Sequence, residues 1–381
     1  MRQLRYIGWI PAFLACIFSF SSLAFAETGV SAKSALVMEL SSGRVLYQKD
    51  ADTPMPVAST TKILTALTAL EHGDIKENIT VSPAAAAAEG SSMYLAAGET
   101  LPLEQLLYGL MLSSGNDAAV AIAEHFGTVE EFVAMMNQKA QELGAASTHF
   151  TNPNGLPDEA HYSTARDMAV ITAAALQNPT FAQIVASKSH TVPGSETNQP
   201  RTLVNHNRLL NMYDGCIGVK TGFTKAAGRC LVSAATRGGM TLICVTLRAP
   251  DDWNDHMRLY DDLFAAYHMS PVICSGTLLD AIAVENSEVE TLPVTAPRDF
   301  SYPLSAAEEC TVTLTLSPPL SAPVHNAAES GSIHVMLNGK EITSMPLITV
   351  GEAKRCNVFE NPDGIFHKIT DFLRGLLSRS G

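Results

Sequence analysis

The sequence predicts an α+β protein: an antiparallel sheet with helices, followed by a small, separate β domain. Three observations carry this. Strand-like apolar runs stand at both ends of a first segment, helical periodicities fill its middle, and beyond about Ser275 only short β-prone runs between Pro-rich connections remain.

The first strand signal is Ser34–Leu40, turned through Ser41-Ser42-Gly43 into Arg44–Tyr47, a hairpin. Ser59 then precedes a helical pattern in which Ile63, Leu64, Leu67 and Leu70 share a face that ends at Gly73. Ala84–Ala88 favours helix. Leu103–Leu112 and Asp117–Phe126 read as helices split by Ser113-Ser114-Gly115-Asn116, with further helices over Val129–Leu143 and Ala165–Leu176. Cys230–Ala235 and Thr241–Leu247 form a second hairpin around Arg237-Gly238-Gly239, and a helix over Trp253–Tyr267 closes the segment. In the β domain, Thr311–Leu316, Ser332–Leu337 and Glu341–Ile348 are strands, with Asn338-Gly339 as a two-residue turn. The resulting division is 1–26, 27–272, 275–355 and a tail over 357–381.

The two ends concern location. Arg2 and Arg5 precede an apolar run to Phe25 and the small-residue site Ala24-Phe25-Ala26, the pattern of an export signal cut near Ala26-Glu27. The run is long enough for an uncleaved anchor, but Pro11 interrupts it and the cleavage site follows at once. In the tail, Ile365, Phe366, Ile369, Phe372, Leu373, Leu376 and Leu377 make one helical stripe with Lys368, Arg374 and Arg379 off it. Such a helix can lie in a membrane interface or dock on the protein's own surface; its terminal place after Asn361-Pro362-Asp363-Gly364 favours the membrane.

Composition excludes some partners. The 381 residues carry a net charge of −13, with 46% hydrophobic and 17% charged residues. That is a globular chain, and its acidity argues against nucleic acid, whose binding needs clustered Lys and Arg. The cysteines of the exported part, Cys216, Cys230, Cys244, Cys274, Cys310 and Cys356, are widely spaced and read mainly as free or buried thiols. The histidines lack metal-ligand spacing.

Three short motifs carry chemistry, in chain order: Ser59-Thr60-Thr61-Lys62, Ser114-Gly115-Asn116 and the triplet Lys220-Thr221-Gly222. A serine hydroxyl needs a base to become a nucleophile. A lysine three residues later on a helix shares its face, one turn away. Burial and a second cation, for which Lys220 is the candidate, favour the neutral amine that a base requires. The Ser59 N–H at a helix start can donate to an oxyanion. Ser114 and Asn116, in a break between helices, offer a proton relay and a carboxamide for the substrate. Lys220 and Thr221 offer a charge and a hydroxyl to a terminal carboxylate, and Gly222 permits close approach of a substrate strand. Taken singly, Ser59 reads as an N-cap, Ser114-Gly115-Asn116 as a turn and Lys220-Thr221-Gly222 as a strand end; the conjunction in one order favours chemistry.

These residues resemble the low-molecular-mass penicillin-binding proteins, the D-alanyl-D-alanine carboxypeptidases of serine peptidase family S11. The likeness extends to Gly90-Ser91-Ser92-Met93, Leu106–Met111, Asn152–Asp167 and Asp214-Gly215, and so to essentially the whole exported chain. It implies a penicillin-binding/β-lactamase-like transpeptidase domain, an acyl-enzyme at Ser59 with Lys62 as base, and a second oxyanion donor at the Phe223 N–H. It further implies peptidoglycan stem peptides ending in D-Ala-D-Ala as substrate, β-lactams as covalent inhibitors, and no metal or organic cofactor. The resemblance also implies an arginine shortly after the strand following the third motif. Here that region reads Pro250–Asp255, and Arg248 and Arg258 are the nearest candidates. Two alternatives remain: a β-lactamase, for which Glu159 is the conspicuous candidate carboxylate, and a non-catalytic wall-binding protein of the same fold.

Overall fold

Strand β1 (Ser34–Glu39) is buried along its whole length, and its side chains alternate between two cores. Leu36 and Met38 join the larger, Ala35 and Val37 the smaller. A sheet covered on both faces needs apolar residues at every position, so β1 shows no polar alternation. The computed structural model describes residues 29–194 and 199–356, so the signal expected over 1–26 and the tail expected over 357–381 lie outside the described residues.

With β2 (Val45–Lys49), β3 (Cys216–Thr224), β4 (Gly228–Arg237) and β5 (Met240–Leu247), β1 forms one antiparallel sheet in the order β2-β1-β5-β4-β3. The two ends of the first segment therefore share a sheet, as their strand signals predicted. Strand β3, which carries Lys220-Thr221-Gly222, is an edge; Phe223 lies opposite Arg229 and Gly222 opposite Cys230 on β4. An unpaired edge can receive an extended peptide.

Helix α1 (Lys62–His72) is buried continuously from Lys62 to Ala69, because it runs through the middle of the helical layer on one face of the sheet. Helices α2 (Leu103–Leu112), α3 (Asn116–His125), α4 (Val129–Glu142) and α5 (Ala165–Gln177) surround it. The N-terminus of α4 is fixed by a capping box between Thr128 and Glu131. On the opposite face α6 (Asp252–Ala266) buries Leu259, Tyr260, Leu263 and Phe264.

The Ala84–Ala88 expectation shrinks to one turn, Pro83–Ala86, capped by Ser82. A further helix, Pro179–Ala186, follows α5 after Asn178, whose side chain accepts from the Thr180 and Phe181 N–H groups. It is too short for a periodicity to stand out. A hairpin of Ser189–Val192 and Arg201–Val204 was equally invisible, because both strands are polar and half exposed.

The β-rich unit begins earlier than composition suggests. Tyr267–Ile273 leaves α6 directly as a strand and pairs with Phe300–Ser305, so the unit starts at Tyr267 and not near Ser275. Its larger sheet includes Cys310–Leu316, Glu329–Leu337 and Lys340–Thr349 around a core of Val294, Ile333, Val335 and Leu347. Asn338 (φ 52°) and Gly339 (φ 78°) make the expected tight turn. Arg44 from the β1–β2 turn joins the units. Its guanidinium stands over the Tyr267 and Tyr302 rings, donates to the Pro303 carbonyl, and pairs with Glu308 at 2.5 Å.

Candidate active site

The chain enters α1 through a tight turn. Ala58 has φ 48°, in the left-handed region, and a 3₁₀ turn over Ala58–Thr61 follows. Ser59 therefore does not cap the helix: the flanking positions are Val57 and Thr61, neither with a side-chain cap, and the Ser59 hydroxyl is left for other partners. It lies 3.0 Å from Lys62 Nζ.

Lys62, the first residue of α1, is wholly buried, and its nitrogen has three oxygen neighbours. They are Ser59 Oγ, Asn116 Oδ1 at 2.7 Å and the Asn154 carbonyl at 2.5 Å. Asn116 presents its oxygen to Lys62 because its amide nitrogen donates to the Glu89 carbonyl at 2.5 Å. Two of the three neighbours can thus only accept. A neutral amine gives them its two N–H bonds, and its lone pair is left for the Ser59 O–H.

The electrostatics favour that neutral form. Burial holds the Lys62 amine well below the usual lysine range, the Lys220 charge pushes it further down, and Asp117 opposes them. Lys220 is itself buried, which lowers its pKa to about 7, and its ammonium donates to the Thr221 carbonyl at 3.0 Å. Lys220 is thus the second cation expected from sequence.

The remaining candidates converge on one groove. Ser59, Ser114, Thr221, Gly222 and Phe223 line it together, joined by Ser91, His206, Arg229, Cys230, Asp252 and Trp253. Ser114 reaches it from a left-handed residue (φ 60°) between α2 and α3. Non-glycine residues rarely adopt this conformation, which is held at functional turns at a cost in strain. The space beside Gly222 belongs to the nucleophile turn: a Cβ there would lie 3.2 Å from the Ser59 nitrogen and 3.1 Å from the Val57 carbonyl. The glycine lets β3 and the Ser59 turn approach each other. Phe223 itself is 67% exposed at the rim.

Four contributions escaped sequence reasoning. The Asn154 carbonyl belongs to the loop Asn152–Leu156, tied by the Asn152 side chain to the Gly155 and Leu156 N–H groups. A backbone oxygen leaves no signature in residue identity. His161, buried, accepts from the Thr151 N–H through Nδ1, so its Nε2–H donates to Thr61 Oγ1 at 2.8 Å, bracing the nucleophile turn. Burial lowers its pKa to about 4, so it stays neutral. Asp117 accepts from the Met93 and Leu95 N–H groups and the Ser92 hydroxyl, which fixes the loop carrying Ser91. Arg229 is the fourth. Arg248 donates to the Ala226 carbonyl and Arg258 pairs with Asp255, and neither lines the groove, whereas Arg229 does. Glu159 is exposed and likewise no part of the groove lining.

Among the described residues no group of three or more His, Cys, Asp and Glu could hold a metal ion, and Cys216, Cys230, Cys244, Cys274, Cys310 and Cys356 are free.

The chain is similar to known proteins over most of its length. A family model described as D-alanyl-D-alanine carboxypeptidase matches residues 22–251, and one described as the penicillin-binding protein 5 C-terminal domain matches residues 267–355. The chain is 34% identical to the D-alanyl-D-alanine carboxypeptidase DacC of Escherichia coli (strain K12) over 390 residues, 94% of this chain and 93% of that protein. It is 33% identical to DacF of Bacillus subtilis (strain 168) over 341 residues, 86% of this chain and 87% of that protein. Among solved structures, penicillin binding protein 5 from Haemophilus influenzae superposes with a TM-score of 0.72 at 28% identity, covering 86% of this chain and 98% of that one.

Proposed function

This chain belongs to the D-alanyl-D-alanine carboxypeptidase family, and from that premise we propose how its own residues perform the reaction. The enzyme is a serine-type D-Ala-D-Ala carboxypeptidase that acts on peptidoglycan stem peptides.

The substrate lies extended along the free edge of β3, with its penultimate D-Ala carbonyl between the Ser59 and Phe223 N–H groups. The Lys62 lone pair takes the Ser59 proton as Oγ bonds to the carbonyl carbon, and the two N–H groups carry the oxyanion's charge. The C–N bond then breaks. The proton reaches the departing D-Ala amine through the Ser114 hydroxyl, leaving an ester on Ser59. Water, deprotonated by Lys62, hydrolyses that ester. Asn116 aims the Lys62 amine and its amide nitrogen is at hand for the bound peptide, while Lys220 and Thr221 stand beside the position of the terminal carboxylate. A β-lactam follows the same first step, but its opened ring stays attached, which blocks the water's approach. The observation that carries this reading is the set of three oxygens around Lys62 Nζ, which leaves the lone pair no partner but the Ser59 hydroxyl.

The test is intact-protein mass spectrometry after penicillin, with the modified peptide located, alongside D-Ala release from an acylated Lys-D-Ala-D-Ala peptide. A single long-lived adduct on Ser59 is expected, and Ser59→Ala abolishes both adduct and release. An adduct elsewhere, or release undiminished in that variant, overturns the assignment. An adduct lost within seconds would instead support the β-lactamase reading.

We also place the enzyme outside the cytoplasmic membrane, exported by the leader over 1–26 and held at the membrane surface by the 365–377 stripe. The charge pattern of the leader and the unbroken apolar stripe support this. Full-length protein should sediment with anionic vesicles and protein ending at residue 356 should not; equal sedimentation contradicts the anchor.

A further inference from the structure

The substrate ends in a carboxylate, and a groove that recognises it needs a cation beside the third motif. Lys220 is poorly suited to act alone: it is 1% exposed, its ammonium is turned to the Thr221 carbonyl, and its pKa is near 7. Arg229, unlike Lys220, lines the groove itself. It sits on β4 directly opposite Phe223, and both residues line the groove.

The guanidinium is held for such a role. Its Nε and Nη2 donate to Asp252 Oδ1 at 3.0 and 2.7 Å, and it lies over the Trp253 ring at 5.6 Å. Asp252 is the fixed partner: its side chain is 3% exposed, against 42% for Arg229, and its Oδ1 also accepts from the Trp253 N–H at 2.9 Å. Nη1 makes no hydrogen bond among the described residues. One edge of the fork is spent on Asp252, and the residue itself lines the groove. A planar fork fixed along one edge suits recognition of a carboxylate along another.

We propose that Arg229 binds the terminal carboxylate of the substrate, and of β-lactams, with Asp252 as the residue that positions it. The proposal rests on acylation at Ser59, and it identifies the group that selects peptides with a free carboxyl end.

Acylation rates measured by mass spectrometry with benzylpenicillin and with its methyl ester separate the two claims. In Arg229→Gln, acylation by benzylpenicillin should fall roughly 10- to 100-fold, the value of a charge-assisted hydrogen bond, while acylation by the ester holds near the parent rate. Because Arg229→Gln strands a buried carboxylate, Arg229→Gln/Asp252→Asn is measured as well and should show the same selective loss. Arg229→Lys should recover part of it. Asp252→Asn alone should raise the concentration needed for half-maximal acylation by benzylpenicillin but not by the ester. Parallel losses for both ligands, or no loss for either, would overturn the proposal. If the parent protein takes up neither ligand, Ser59 acylation itself has failed.

Discussion

At the residue scale, two buried amines dominate the site, and each trades stability for chemistry. Lys220 has a folded pKa of about 7 against 10.5 for an ordinary lysine. The unfolded chain therefore binds more protons between those values, so the cost of burial is fully present below about pH 7 and disappears as pH rises toward 10.5. Lys220→Met should stabilise the protein near pH 7 by on the order of 3 kcal/mol in urea unfolding, a gain that shrinks at pH 10. The same variant removes the charge that depresses Lys62. Its residual acylation should then need a higher pH, visible as an acid limb displaced upward in the rate profile. His161 acts with the same sign in a lower pH window. Its folded pKa of about 4 lies below the ordinary 6.5, so stability is intact above pH 6.5 and is lost as pH falls toward 4. His161→Gln should reduce the slope of stability against pH in that window by about 1.4 kcal/mol per unit, measured from urea midpoints.

Among elements, the decisive contact is between β3 and the turn before α1. Gly222→Ala places a methyl group against the Val57 and Ser59 backbone, so strand or turn must give by a few tenths of an ångström. Acylation should fall more than roughly tenfold through kcat, with KM little changed, since misplacement by about 1 Å costs that much or more. Gly155 is under harder constraint: it has φ +83° and faces the Ala58 backbone. Gly155→Ala should destabilise by about 2 kcal/mol or more and loosen the Asn154 carbonyl from Lys62. How well each element could be read from sequence follows its burial. The strands β1, β4 and β5 announce themselves because both of their faces are apolar. The half-exposed Tyr267–Ile273 and the polar Ser189–Val192 do not, because pairing partners far along the chain make them strands.

For the whole molecule, Arg44 is the tie between the catalytic and β-rich units. Its side chain is 14% exposed and that of Glu308 17%, so the pair is shielded, and the aromatic rings of Tyr267 and Tyr302 flank the cation. Arg44→Ala leaves Glu308 half-buried without its counter-ion, at about 3 kcal/mol. Calorimetry of the variant should show the β-rich unit melting apart from the catalytic unit, with acylation by penicillin unchanged. A single unaltered transition would deny Arg44 this role.

By itself the sequence located the reagents proposed here and their order: Ser59 with Lys62, Ser114 with Asn116, and Lys220-Thr221-Gly222, on helix starts, breaks and a strand that local patterning could locate. It could do so because a base three residues from its nucleophile is a local relation, set by helical geometry. Only the tertiary structure decided which way the chemistry runs. The Asn154 carbonyl, the Asn116 oxygen and the Lys220 charge come from distant segments, and together they leave the Lys62 lone pair facing Ser59. Likewise, the pairing of β4 with the start of α6 brings Arg229 and Asp252 together at the groove. Burial and long-range pairing are properties of packed chains, and no spacing of residues along the sequence encodes them directly.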